Sequence, residues 1–216
     1  MSRFRVLPCL FASQRLLTSI FSIIAFGLAG CSYGGSGPPA PHYSQFKAEM
    51  PEGNTVTVCS GHGCRHKTKF TFSRSDIAKL NAIMDRARSD GSPAGERRAI
   101  RKAIAWMEER VGRETGTAAD RVGLDFLGAG DPTQMDCVDE ATNTTSYLSV
   151  LAANGLLRHH EVLRPMAKDA PLRWTHYFAV IRDKTTGQRW AVDSFMRPNG
   201  QEPIIMEAEK WYVRTS

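Results

Sequence analysis

The stretch from residue 134 to residue 195 constrains the fold of this chain more than any other. Gln134-Met135-Asp136-Cys137-Val138-Asp139-Glu140 leaves an irregular, glycine-rich segment (115–132) and opens an apolar-periodic run that stops at Asn154-Gly155. That pattern predicts a helix over 137–153, with Asp136 as its cap and Val138, Ala141, Leu148, Leu151 and Ala152 on its buried side. Two β-rich runs follow, 176–183 and 189–195, joined by Lys184-Thr185-Thr186-Gly187, whose composition suits a turn. A helix followed by two strands and a tight turn predicts a helix packed on an antiparallel hairpin. The same stretch sets out a thiol at a helix start (Cys137), a histidine on a strand (His176) and a carboxylate on the next strand (Asp193), in that order.

Upstream, Thr55-Val56-Thr57-Val58 and Lys67-Thr68-Lys69-Phe70-Thr71-Phe72 alternate in the manner of strands, and Cys59-Ser60-Gly61-His62-Gly63-Cys64 between them predicts a hairpin tip. One helix is expected from Ser75-Asp76, with Ile77, Leu80, Ile83, Met84 and Ala87 on one face. A second is expected from Ser92-Pro93, with Ala99, Ile100, Ala103, Ile104, Met107 and Val111 inward and Gly112 as its stop. Arg97-Arg98 and Glu108-Glu109-Arg110 read as solvated helix faces, and His159-His160 as a surface connection. Trp174, Trp190 and Trp211 read as core or cleft walls. No internal repeat is visible. A hairpin, two helices, a loop, a further helix and a sheet make an α+β pattern.

Residues 1–30 have the features of an export signal. Arg3, Arg5 and Arg15 precede an apolar run over 16–28, no acidic residue occurs before Cys31, and the run is short of the ~20 residues a membrane-spanning helix requires. It ends in Leu28-Ala29-Gly30-Cys31, which resembles the lipobox of bacterial lipoproteins, where cleavage precedes a cysteine that is then lipidated. Ser32 in the following position implies, by the same resemblance, an outer-membrane address facing the periplasm. An ordinary signal peptide or an uncleaved anchor is the alternative. Removing 30 of the 216 residues leaves 186, enough for one domain with a proper core, and lowers the net charge from +6 to +3. No Lys/Arg block stands out, so charge gives no argument for nucleic acid. The expected organisation is a signal over 1–30, a lipidated Cys31 with a Gly/Pro/Ser-rich tether over 31–50, and a single domain over 51–216.

With Cys9 in the signal and Cys31 lipidated, three thiols remain. In an oxidising compartment Cys59 and Cys64 can close a short disulfide loop, which leaves Cys137 as the odd thiol. Cys59, His62, Cys64 and His66 also supply enough ligand types for zinc, although the spacing is tight. The pairing is read as a disulfide, with no metal and no cofactor.

A cysteine nucleophile needs a base for its proton and a group to orient that base. A helix start and a nearby imidazolium can lower a thiol from about 8.5 into the range of about 3.5–7.5. If Arg182 pairs with Arg189, Phe178 lies opposite Asp193, and His176, two residues from Phe178, points to the same face as the carboxylate. Cys137 then attacks a carbonyl, His176 shuttles the proton, and Asp193 fixes the imidazole.

Cys137 opening a helix, His176 among aromatic neighbours, and Asp193 in Trp190-Ala191-Val192-Asp193-Ser194 resemble the transglutaminase-like branch of the papain-like cysteine enzymes, over roughly residues 130–196. The resemblance implies a papain-like/transglutaminase-like fold and a thioester intermediate. It also implies a peptide, protein or peptidoglycan-peptide substrate, by hydrolysis or acyl transfer. Papain-type enzymes carry an oxyanion-hole glutamine several residues before the cysteine; here Gln134 stands only three before, and the Cys137 amide is the alternative donor. A non-catalytic envelope lipoprotein that uses the same fold for binding is the rival reading.

Overall fold

The computed structural model describes residues 32–88, 90–123, 125–169 and 174–211. The signal segment and Cys31 lie outside the described residues. The elements run β1 (Ser32–Gly34), α1 (Ala40–Gln45), β2 (Thr55–Ser60), β3 (His66–Thr71), α2 (Arg74–Ala87), α3 (Pro93–Thr115), α4 (Cys137–Ala153), β4 (His160–Lys168), β5 (His176–Asp183), β6 (Arg189–Asp193) and β7 (Ile204–Glu207). This is an α+β fold. A five-stranded antiparallel sheet in the order β1-β4-β5-β6-β7 stands beside the two-stranded β2-β3 hairpin.

Local chemistry explains where the helices begin. Ser73 and Asp76 form a reciprocal capping box at α2, and Ser92 accepts a hydrogen bond from the Gly95 amide ahead of Pro93 at α3. At α4 Asp136 accepts from the Val138 and Asp139 amides while the Asp139 carboxylate returns to the Asp136 amide. The expected stop at Gly112 is corrected. α3 runs through it to Thr115, and Gly116 ends the helix at φ 85°. Gly112 serves close packing instead, since a Cβ there would lie 2.9 Å from the Ala118 amide nitrogen and from Asn199 Oδ1.

The strand alternation of β5 divides the core. Ala179 and Ile181 face the helices, where Val192, Ile205, Leu148, Leu151, Ile100, Ile104 and Met107 pack with the β2-β3 hairpin. Phe178 and Val180 face the other way, with Leu163, Met166, Ala191, Met206 and Trp211. Trp190 is partly buried against the helix-side core, under the Arg97 guanidinium at 3.7 Å.

Three further expectations change. The expected tether over 31–50 packs in its described part: β1 pairs with β4, and α1 buries His42 and Tyr43, whose Nε2 and Oη lie 2.8 Å from Thr142 Oγ1 and Ser146 Oγ respectively. His160 is no surface residue. It begins β4, and its Nδ1–H donates to the buried Glu96 carboxylate at 3.0 Å, beside the Arg158, His159 and His160 amides. Glu108 is only 3% exposed and accepts from Ser194 Oγ (2.6 Å) and the Gly200 amide (2.9 Å). Among the described residues no helix is long and apolar enough to cross a membrane.

Candidate active site

α4 is anchored at the end that carries Cys137. The β2-β3 tip takes four consecutive left-handed conformations, Gly61 (φ 78°), His62 (69°), Gly63 (64°) and Cys64 (63°), which turn successive amides toward one point. The His62 and Cys64 amides donate to the Asp139 carboxylate at 2.8 and 2.6 Å, and the Gly63 amide donates to Asp136 at 3.0 Å. Cys59 and Cys64 are bonded across this tip, with Cα atoms 4.5 Å apart. Asn143, one and a half turns along α4, pairs with the edge of β2 as a strand would. Its Oδ1 accepts from the Cys59 amide (2.7 Å) and its Nδ2 donates to the Cys59 carbonyl (2.9 Å). The zinc arrangement with His62 and His66 is not assembled around these sulfurs. His66 Nε2 lies 3.0 Å from the Gly130 carbonyl, and the third ligand type beside Cys59 and Cys64 is Asp139.

Arg182 stands opposite Arg189. That register puts Phe178 level with Asp193 and turns His176 to the same face, and His176 Nε2 lies 3.0 Å from Asp193 Oδ2. A carboxylate only accepts, so Nε2 carries the proton and Nδ1 is left as the ring's basic nitrogen. The ring is fixed by aromatic packing: Trp211 stacks on it at 4.4 Å, and Phe195 lies at 5.2 Å. The other Asp193 oxygen accepts from the Phe195 amide at 3.2 Å.

Cys137 occupies the first helical position. It lines an open groove of about 220 Å³ with Asp136, Val138, Trp174, Thr175, Tyr177 and Phe195. Phe195 therefore touches both the groove and the imidazole. The sulfur lies 3.9 Å from the Thr175 carbonyl, and the Tyr177 amide points at it. It meets β5 through the Thr175 and Tyr177 backbone; the thiol–imidazole hydrogen bond is not formed, and His176, which shares the Phe178 face, is not among the residues lining the groove. The expected lowering of the thiol is also corrected. Burial pushes Cys137 up to about 12, and the Asp136 and Asp193 charges act in the same direction against the Tyr177 and Cys137 amides. The Asp136 cap consumes the positive end of the helix that a thiolate would use.

Gln134 does not fill the oxyanion role. Its Oε1 accepts from the Arg121 amide (3.2 Å), its Nε2 donates to the Ala119 carbonyl (3.0 Å) and to Thr133 Oγ1 (3.1 Å), and it is absent from the groove lining. The Asp136 cap takes the Val138 and Asp139 amides and leaves the Cys137 amide outside it. Sequence reasoning missed Tyr177, Phe195 and Tyr33. Tyr33 arrives from β1 to bond Tyr177 Oη at 2.7 Å. Alternation past Asp193 could have found Phe195; nothing local marks Tyr177, on the opposite face from His176, or Tyr33.

No protein-family model, no curated protein and no solved structure matches this chain.

Proposed function

We propose that this chain is a thiol enzyme of the cell envelope, held by a lipid on Cys31, that opens an amide or ester bond through a thioester on Cys137. The observation that carries the reading is the His176–Asp193 pair at 3.0 Å, on the strand whose Thr175 carbonyl and Tyr177 amide meet the one free thiol among the described residues. A buried aromatic-clamped imidazole with its Nε2–H committed to a carboxylate is the arrangement of an oriented general base.

The raised thiol sets the order of events. Cys137 rests as S–H, and no imidazolium–thiolate pair is stored. Substrate entering the groove displaces the sulfur from the Thr175 carbonyl, and active-site hydrogen bonds that are long without substrate tighten on binding. The S–H proton passes to His176 Nδ1 as the C–S bond forms, and the Cys137 amide donates to the oxyanion. Nδ1–H then protonates the leaving amine or alcohol as the C–N or C–O bond breaks. Water, or an acceptor amine in acyl transfer, attacks the thioester carbonyl and loses its proton to Nδ1; the C–S bond breaks, the acyl product leaves, and Nδ1–H returns the proton to the Cys137 sulfur. This logic and the order of the three residues are those of a transglutaminase-like or papain-like core, and a peptide or peptidoglycan peptide is the substrate class we assign.

One observation favours the rival, a non-catalytic lipoprotein that binds a partner: the half-buried thiol is pushed up and bonds a backbone carbonyl instead of the imidazole. Turnover of peptides, peptidoglycan fragments and glutamine donors by the wild type against Cys137→Ser separates the two. Thiol-dependent turnover supports the enzyme. Equal inactivity of both proteins, with the fold intact, supports the binding protein.

A further inference from the structure

The groove's rim is apolar and exposed. Leu127 is 95% exposed, Phe126 69% and Trp174 60%, and Val122, Met196 and Tyr33 are also exposed. They come from β1, the 122–127 connection, the residues just before β5 and those just after β6, and Trp174 lines the groove itself. Phe126 lies edge-on to Trp174 at 5.7 Å, the Gly123 amide donates to the Phe195 carbonyl at 3.2 Å, and Tyr33 bonds Tyr177 in the groove wall. Single exposed apolar residues need no explanation, but a cluster beside a groove does: Phe126 packs on Trp174, which lines the groove, and Leu127 is next in the chain.

The chain's entry point lies at the same end. Ser32 pairs with Lys168, and Lys168 with His176, in adjacent strands of one sheet. Two strand spacings put Ser32 about 10 Å from the His176 backbone. The segment that follows is committed: β1 is paired, the Gly35 amide donates to the Arg164 carbonyl at 3.1 Å, and α1 buries His42 and Tyr43. On the lipid-anchor reading the acyl chain joins the residue before Ser32, so the anchor enters at this end of the sheet.

We propose that Phe126, Leu127 and Trp174 form a membrane-docking surface that enters the bilayer interface next to the anchor, so that the groove opens at the membrane and takes peptide segments lying there. The proposal rests on the lipid-anchor reading for its geometry. The residue types fit, since Trp, Tyr and Phe favour the headgroup level of a bilayer. The rim's charge fits as well: Arg121 is paired with Asp125, so attraction is apolar and should resist salt.

The test uses residues 31–216 with Cys31→Ser, which carry the whole described fold and cannot be acylated, and vesicles of phosphatidylethanolamine and phosphatidylglycerol. Co-sedimentation is compared with that of the same chain carrying Phe126→Ser and Leu127→Ser. Docking predicts salt-resistant binding that falls by at least ~10-fold in the double variant, with soluble-peptide turnover and thermal melting unchanged. Absence of vesicle binding, or equal binding by both chains, overturns it. So does lost peptide turnover with vesicle binding intact, which would make the loops a substrate subsite. The anchor reading is checked separately, by the intact mass of Cys31-containing protein extracted from cells, and can fail or stand without the docking result.

Discussion

The two ends of α4 are buried alike and built from opposite chemistry. From Asp136 to Ser146 the helix is enclosed through Asp139, Glu140, Thr142, Asn143, Thr144, Thr145 and Ser146, all buried polar residues. From Tyr147 to Leu151 it is enclosed through Leu148, Val150 and Leu151, in the apolar core. The hydroxyls at the amino end satisfy backbone carbonyls one turn back, as Thr142 does to Val138 (2.7 Å) and Thr145 to Ala141 (2.6 Å), while Asp139 and Asn143 hold the β2-β3 hairpin. Burial of the apolar end contributes stability by area. Burial of the polar end fixes position and stays affordable only while each group keeps its partner. Position is what a nucleophile at the first turn requires.

Substitutions should separate the two ends. On the proposed mechanism Cys137→Ser removes the attacking sulfur and is expected to lower turnover by at least ~10³-fold, while the denaturation midpoint hardly moves; a matching loss of stability would erase the contrast. Leu148→Ala, at a fully buried position, should cost about 2–5 kcal/mol in urea unfolding, with turnover per folded molecule kept.

Glu108 sharpens the contrast through pH. Burial raises it to about 7, with a further push from Asp120, against the Ser194 and Gly200 hydrogen bonds. The folded state therefore holds a proton that the unfolded chain releases near 4.5, and stability falls as pH rises from there through about 7. Glu108→Gln should remove a fall on the order of 2–3 kcal/mol between pH 5 and pH 8, measured as the difference in unfolding free energy between the two proteins. The difference is needed because His42, lowered to about 4 mainly by burial, works the opposite way: its stability is lost as pH drops below about 6.5. A variant that parallels the wild type at every pH would contradict a buried, protonated Glu108.

Removing the Cys59–Cys64 bridge with alanines should cost about 2 kcal/mol, the value for so short a loop. Because the same tip grips Asp136 and Asp139, turnover should fall more than stability alone dictates. An unchanged kcat would detach the hairpin from the site.

How far the sequence spoke follows the same division. α3 was legible in its face because one side meets the core, and the pair His176–Asp193 was legible because strand alternation and turn length fix a register. α4's limits were legible from its caps, but the extent of its burial was not: every residue from Val138 to Leu148 is buried, so no stripe marks one face, while Ala152, expected inward, is exposed. Glu96 and Glu108 stand four residues before Ile100 and four after Ile104, on α3's own inward stripe, so the period held their placement while the charge hid it. β1, α1, β4 and β7 depend on long-range pairing that short windows do not carry. Met1–Gly30 and Cys31 remain expectations from the sequence.

The central claim is that Cys137 becomes a nucleophile when His176 takes its proton in the substrate-bound groove. The most direct measurement is intact mass after exposure of the folded protein to a peptidyl vinyl sulfone. The account predicts one adduct, mapped to Cys137, formed quickly by the wild type and slowed by ~10²-fold or more in His176→Ala, while small iodoacetamide reacts ever faster as pH climbs past 9 without a plateau near neutrality. Labelling that needs denaturant, or that proceeds equally well without the imidazole, would contradict it.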